Sequence, residues 1–384
     1  MFKDFFLCCS QIKTLKKIYF TVTNDLVYDQ RMKRICSSLA KNARLPDGQG
    51  FDVTLVGRRF QHSLPLRKEN YQQTRIRCWF NKGKLFYFEY NLRLFFFLLF
   101  KKMDAICAID LDTISPCLAI SKLKKIPRIY DAHEFFTGLK EVATRPGIKK
   151  IWTRIERMAV PQFTWGYTVS DSIAHEFYRL YGVNYATIRN IPVLKSLDDL
   201  PVREEFILYQ GAVNEARGFE YLIPAMKMID HKLVICGDGN FMDQLKDLIT
   251  TNHVQDKIEL KGMLQPEELW KISQQATIGV SFPEKIGLNQ YLALANKFFD
   301  YIHAGLPQIT VNFPEYQKLN DKYQVAILVN DIDPETIADS VNNLMADTVL
   351  LEQLRQNCIK AREDLNWQNE EKKLINFYQN IFNS

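Results

Sequence analysis

No apolar run in the sequence reaches the roughly 18–20 residues that a membrane-spanning helix needs. The strongest is Leu94–Phe100 (LFFFLLF), seven residues set between Arg93 and Lys101–Lys102. It reads either as the buried face of a helix or as a surface that dips into a membrane. There is no low-complexity tract and no repeat of fixed period, which sets aside disordered chains and solenoids. No cysteine belongs to a CxxC pair, and Cys8 and Cys9 are too close for an ordinary bridge. Zinc ribbons and disulfide scaffolds are therefore excluded. Free thiols in a reducing, cytoplasmic compartment are expected. The N-terminal stretch MFKDFFLCCSQIKTLKK has mixed charges, a short apolar part and no small-residue cleavage site, so it is not a secretory signal. RNA-binding and zinc-finger signatures are missing, and nucleic acid is not an expected partner.

What is present is an ordinary globular composition, 47% hydrophobic and 24% charged. The 384 residues suit two domains rather than one core. Charge divides them. Residues 1–200 hold 33 Lys and Arg against 18 Asp and Glu, whereas residues 201–384 hold 17 against 26. Basic clusters stand at Arg31–Arg34, Lys122–Arg128 and Lys149–Arg157. Some are solvated helix faces; together they suit an anionic membrane surface or an anionic acceptor.

Strand-like runs alternate with helical ones along the chain. KKIYFTV (16–22), DVTLVG (52–57), RIRCWF (75–80), AICAID (105–110), RIYDAH (128–133), WGYTVS (165–170) and ATIRNIP (186–192) read as strands. Helices are expected between them, one being long and aromatic near 86–102. Ala43–Gly50 reads as a loop and the polar stretch 194–205 as a linker. The alternation restarts with FILYQG (206–211), KLVICG (232–237), KIELKG (257–262), TIGVSF (277–282) and QITVNF (308–313). Such alternation predicts two doubly wound α/β domains with parallel sheets, facing each other across a cleft. Ligands in these folds bind at the carboxyl ends of strands.

Five motifs fall at such ends. In YQGAVNEARGFEYL (209–222), Gly211 lets a ligand approach the backbone, and Arg217 offers a planar cation near a helix start, which suits phosphate. Any strand-to-helix loop can hold a Gly, so this motif alone is weak. In CGDGN (236–240), Gly237, Asp238 and Gly239 are donor-binding candidates; the bland alternative is that the glycines allow a tight turn and Asp238 caps the next helix. In LANKFFDYIHAGLPQITV (294–311), Asn296 can cap a helix that Gly305 and Pro307 close. Lys297 in its first turn opposes the helix dipole unless an anion is near. Asp300 lies one turn on, so a cation for phosphate stands beside a carboxylate for ribose; the bland alternative is an exposed ion pair. YDAHEFF (130–136) delivers Asp131, His133 and Glu134, a histidine with carboxylates that could orient it or exchange protons. No second His stands at ligand spacing, so a metal is not expected. TNDLVYDQR (23–31) places Asp25, Asp29 and Arg31 after the first strand, without the glycines of a dinucleotide fingerprint.

Taken in order, these stations resemble the GT-B glycosyltransferases, specifically the retaining family-four (group 1) type. DQR, YDAHE, TVSDSIAHEFYRLYG, RNIP, YQGAVNEARG, VICGDG, LKGMLQPEEL, NKFFDYIHAGLP and NWQNEEKKLINFYQ carry the resemblance along nearly the whole chain. It implies an N-terminal acceptor domain (1–195), a C-terminal nucleotide-sugar domain (196–365) and a terminal helix, about 366–384, that crosses back. It implies that Gly211, Arg217 and Lys297 hold a donor diphosphate and Asp300 the ribose. Gly262, Met263 and Leu264 would line the base pocket, and His133 with Glu134 would stand at the transferred sugar. Asp29 and Arg31 would touch the acceptor or a phosphate, with Asp131 beside them on the acceptor side or in the cleft. The implied reaction moves a sugar from a nucleotide diphosphate sugar to a saccharide or lipid-linked saccharide, with no metal or other cofactor required. Two positions depart from the pattern. Leu292 stands where the family often has Glu, eight residues before Asp300, and Ala212 stands where a basic residue often follows the first glycine. A sugar-nucleotide epimerase or a non-catalytic binding protein on the same fold is the alternative.

Overall fold

The computed structural model describes residues 15–41, 50–197 and 203–383. The readings of the N-terminal stretch with Cys8 and Cys9, of most of the 43–50 loop and of the middle of the 194–205 linker lie outside these residues. The chain divides into two compact units. One comprises residues 1–132, 155–166 and 373–384; the other comprises 133–154 and 167–372.

The N-terminal elements are β1 (Lys16–Thr21), α1 (Gln30–Lys41), β2 (Phe51–Arg59), β3 (Gln72–Arg77), α2 (Gly83–Leu99), β4 (Ala105–Ile109), α3 (Ile114–Lys124), β5 (Arg128–Ala132), α4 (Lys140–Ala143), α5 (Pro146–Ala159), β6 (Trp165–Thr168), α6 (Asp171–Tyr181) and β7 (Ala186–Thr187). The strands form one sheet in the order β3-β2-β1-β4-β5-β6-β7. Its middle strands are buried on both faces, as their unbroken apolar sequences require: Ala105–Ile109 is buried at every position. The last helix of the chain, α15 (Trp367–Asn383), ends in this unit. There Tyr378 packs edge-on against Phe51 and Phe377 against Trp165.

The remaining elements are β8 (Phe206–Gln210), α7 (Phe219–Ala225), β9 (Lys232–Cys236), α8 (Met242–Thr251), β10 (Ile258–Gly262), α9 (Pro266–Gln275), β11 (Ile278–Ser281), α10 (Leu288–Leu292), α11 (Asn296–His303), β12 (Gln308–Val311), α12 (Pro314–Tyr323), β13 (Ala326–Val329), α13 (Pro334–Ala346) and α14 (Thr348–Asp364), followed by α15. Their sheet runs β10-β9-β8-β11-β12-β13, and every described pairing in it is parallel. Ile207, Tyr209, Leu233, Ile235, Ile278 and Val280 pack against α7, α8 and α13 to form its main core. Both sheets reverse direction beside their first strand. In the second sheet that places the switch point between β8 and β11, where doubly wound folds leave a crevice for ligands.

Candidate functional site

The loop after β8 must bend away sharply, and three glycines make this feasible. Gly211 has φ of 111°, a conformation that suits glycine. A Cβ on Gly237 would come within 1.8 Å of the Gly211 carbonyl oxygen, and one on Gly239 within 2.1 Å of the Val213 oxygen. The two glycines after β9 are therefore there to let the 211–214 loop pass over them. Asp238 does not cap α8, which starts from Phe241. Its carboxylate accepts the Gly239 N–H at 2.7 Å, because the loop bond from Val213 N to the Asp238 carbonyl fixes it earlier in the turn.

Lys297 enters this loop from the first turn of α11. Asn296 is the first residue of that helix rather than its cap, since Ala295 holds the cap position. The Asn296 Oδ1 accepts from Asn190 Nδ2. The Lys297 ammonium lies 3.6 Å from the centre of the Tyr209 ring, and 3.6 Å from the point a Gly211 Cβ would occupy. The half-buried ammonium is pushed well below the ordinary lysine range by burial, and further by the nearby Arg217 charge; Asp300 opposes both. Arg217 is tethered by a neutral group: its Nη1 donates to Gln290 Oε1 at 3.0 Å, and Gln290 Nε2 donates to the Ala216 carbonyl at 2.8 Å. Two cations thus stand within range of each other's charge, one bonded to an amide and one over a ring face. Asp300 offsets less than Arg217 adds at Lys297, so a further anion would relieve the pair.

Asp300 is fixed by a relay. Gln210 Nε2 donates to Asp300 Oδ2 at 3.1 Å, and Ser273 Oγ donates to Gln210 Oε1 at 2.8 Å. Behind it, the Tyr301 hydroxyl accepts the Gln210 N–H and donates toward the Leu208 carbonyl, tying α11 to the end of β8. The helix start after Arg217 is weaker than its sequence suggests. α7 has only seven residues, and the Gly218 N–H at its entry is taken by the Glu284 carboxylate. Positive charge here comes from the two side chains, not from that helix.

His133 and Glu134 belong to the same unit as these cations. The segment that follows them is fastened to the α10 loop: Phe135 N donates to the buried Asn289 Oδ1 at 2.7 Å. A Cβ on Gly287 would reach the Gly138 oxygen at 2.3 Å, so the two backbones touch. Lys140 pairs with Glu215 at 2.6 Å. The Glu134 side chain opens to solvent at its surface, yet its carboxyl is crowded by protein. Burial raises its pKa, which His133 and Arg217 oppose and Glu141 reinforces. Leu292 closes α10, and its carbonyl accepts the Ser170 hydroxyl at 2.8 Å. Gly262 ends β10 beside Cys236; Met263 is exposed and Leu264 leans on the core under β8 and β9.

The expected acceptor residues serve the first unit. Arg31 and Asp131 are both buried and form an ion pair at 2.9 Å. Asp29 takes the Met32 N–H at 2.9 Å and so begins α1. Asp25 holds Arg75 and Ser63. A cavity of about 570 Å³ opens among Asn24, Asp25, Tyr28, Asp29, Phe60, His62 and Ser63. Among the described residues no three of His, Cys, Asp and Glu are grouped as a metal ion would need.

Tyr209, Gln210, Ser273, Asn289 and Gln290 were not evident as site residues in the sequence. Gln210 alone carried a signal, as a polar residue closing an apolar strand.

Two Rossmann-type sheets, one with a paired-cation site at its switch point, define a GT-B fold. Residues 196–364 match the family described as glycosyl transferases group 1. An uncharacterized glycosyltransferase of Methanocaldococcus jannaschii is 29% identical over 183 residues, 46% of this chain and 45% of that protein. The chain spans less than half the length of the curated relatives it matches. Among solved structures, sucrose-phosphate synthase from Thermosynechococcus elongatus superimposes with a TM-score of 0.75 at 15% identity, covering 96% of this chain and 99% of that one. Anabaena HepE in complex with UDP-glucose gives 0.70 at 12% identity, covering 95% and 99%. These likenesses show the fold.

Proposed function

We propose that the chain is a retaining glycosyltransferase that moves a sugar from a nucleotide diphosphate sugar to a saccharide or lipid-linked saccharide. The setting is surface polysaccharide or glycoconjugate synthesis, on the cytoplasmic side of an anionic membrane. The observation that carries this reading is the pair Arg217 and Lys297, each tethered by a neutral partner and lying within range of the other's charge. A diphosphate supplies the two negative groups that relieve them. Asp300, presented by Gln210, suits ribose hydroxyls, and Gly262, Met263 and Leu264 at the neighbouring strand end suit the base. UDP is the first nucleotide to try, because the structurally similar Anabaena protein was solved with UDP-glucose.

In the reaction the bond from the anomeric carbon to the diphosphate oxygen breaks, and the acceptor hydroxyl oxygen takes its place. The acceptor's proton leaves with the diphosphate. Charge gathers on that leaving group, and preorganised cations stabilise it without a resident metal. His133 and Glu134 would bond hydroxyls of the transferred sugar. Residues 1–195 would serve the acceptor and 196–365 the donor. The 570 Å³ cavity offers rings at Tyr28 and Phe60 with carboxylates at Asp25 and Asp29, which suits an uncharged sugar better than a phosphate.

Leu292 favours a second reading, a binding protein that holds the donor without turning it over. Release of nucleoside diphosphate from a panel of sugar nucleotides distinguishes the two. Release that survives Arg217→Ala with Lys297→Ala would sink the assignment of the phosphate site.

A further inference from the structure

Helix α2 carries large apolar side chains on every face, a pattern that belongs to helices buried on every side or placed in lipid. Its inner face behaves as expected: Phe86, Tyr90, Leu94 and Leu98 are buried. Its outer face is bare. Leu85, Phe88, Leu92, Phe96 and Phe100 recur every three or four residues and form one stripe. Phe88 is 70% exposed, Phe96 52% and Phe100 81%. Trp79 just before the helix, and Leu123 on the neighbouring α3, are exposed as well. Isolated exposed apolar residues are ordinary, but a continuous stripe marks a contact surface.

The charges around the stripe indicate what the contact is. Lys82 and Lys84 stand exposed at one end and Lys102 at the other, with Lys122 and Lys125 exposed on α3. Between Trp79 and Lys102 the single acid is Glu89, and it is consumed by the Trp79 and Phe80 N–H groups and by Arg93. A second copy of the chain would set this positive surface against itself. An anionic bilayer matches both features, accepting aromatic side chains at its interface and lysines at its headgroups.

We propose that the outer face of α2 lies on an anionic lipid surface, with Phe88, Leu92 and Phe96 entering the interface and the flanking lysines binding headgroups. The proposal names the face behind the membrane setting given above, yet it rests on the helix and its charges. Vesicle binding and donor binding can therefore fail separately.

The test is co-sedimentation of the full chain with phosphatidylcholine vesicles, with and without phosphatidylglycerol. The expected result is binding to the anionic vesicles that falls with salt. Phe88→Ser with Phe96→Ser should weaken it about tenfold per side chain, with the melting temperature lowered by only a few degrees because Phe88 is mostly and Phe96 half exposed. Lys122→Glu with Lys125→Glu should weaken it at least about fivefold per lysine. No binding to anionic vesicles at low salt would overturn the proposal. So would equal binding by the phenylalanine variant. A solution dimer that the same variant dissolves, without lipid binding, would assign the face to self-association instead.

Discussion

Replacing Lys297 by Met separates a ligand-binding lysine from a structural one, because the two roles predict opposite results. In the free protein the ammonium rests 3.6 Å from the Tyr209 ring centre, crowded by protein and by Arg217. Its pKa lies well below 10.5, so the folded chain holds that proton less tightly than the unfolded chain does. The charged form is therefore a cost to the free fold below the folded pKa, relieved as pH rises from there toward 10.5. Met keeps the stem and removes the cost, at the loss of a cation–π contact of about 0.5–2 kcal/mol. The net change in stability should stay within about 1 kcal/mol, a melting shift under about 4 °C. Diphosphate binding should behave otherwise. A charge-assisted bond is worth about 1.5–3 kcal/mol, so affinity for pyrophosphate or UDP should fall by about 10- to 150-fold. Scanning fluorimetry gives the first number and titration calorimetry the second. A variant that melts much earlier yet binds both probes as tightly as the parent would refute this reasoning and make Lys297 a structural residue.

Other consequences are equally open to measurement. Arg31→Ala leaves the fully buried Asp131 without its cation and should cost about 3–5 kcal/mol in chemical denaturation. Asn289→Ala strands the Phe135 N–H; a loss of about 1–3 kcal/mol is expected, with any turnover falling in kcat as the His133–Glu134 segment loosens. Gly237→Ala would push a Cβ to 1.8 Å from the Gly211 oxygen, so the 211–214 loop should shift and, on the proposed function, nucleotide protection in limited proteolysis should disappear. His303 is buried, and burial lowers its pKa to about 4. Its folded pKa is below 6.5, so its contribution to stability is complete above 6.5 and is lost as pH falls through 4. His303→Gln should flatten that part of the stability profile.

The central strands were legible because they are short apolar runs bounded by turn residues, and β8, β9, β11 and β12 lie inside the predicted segments. Edges were harder. β3 begins at the polar Gln72, three residues before the predicted start, and β7 is only Ala186–Thr187 of the expected 186–192. Neither edge strand has burial on both sides to write an apolar pattern. α10 has five residues and no side-chain cap, so no signal marked it. Within LFFFLLF, residues two apart on the helix fall on nearly opposite faces: Leu94 and Leu98 are core while Phe96 and Phe100 are bare. In the site, glycines and charges at strand ends stood out. The amides that aim them did not, because Gln210 and Asp300 meet across 90 residues and Arg217 and Gln290 across 73. Only the sheet order brings those pairs together.

The account depends on Arg217 and Lys297 forming a diphosphate site, and ligand-dependent melting tests that most directly. The chain would be heated alone and with UDP, GDP, ADP, CMP, TDP or pyrophosphate, beside the Arg217→Ala, Lys297→Ala double variant. A ligand at 100 times its dissociation constant should add about 2.7 kcal/mol to the stability of the parent, and the double variant should show little of it. A parent that no diphosphate stabilises, or a double variant stabilised as much as the parent, would contradict the account.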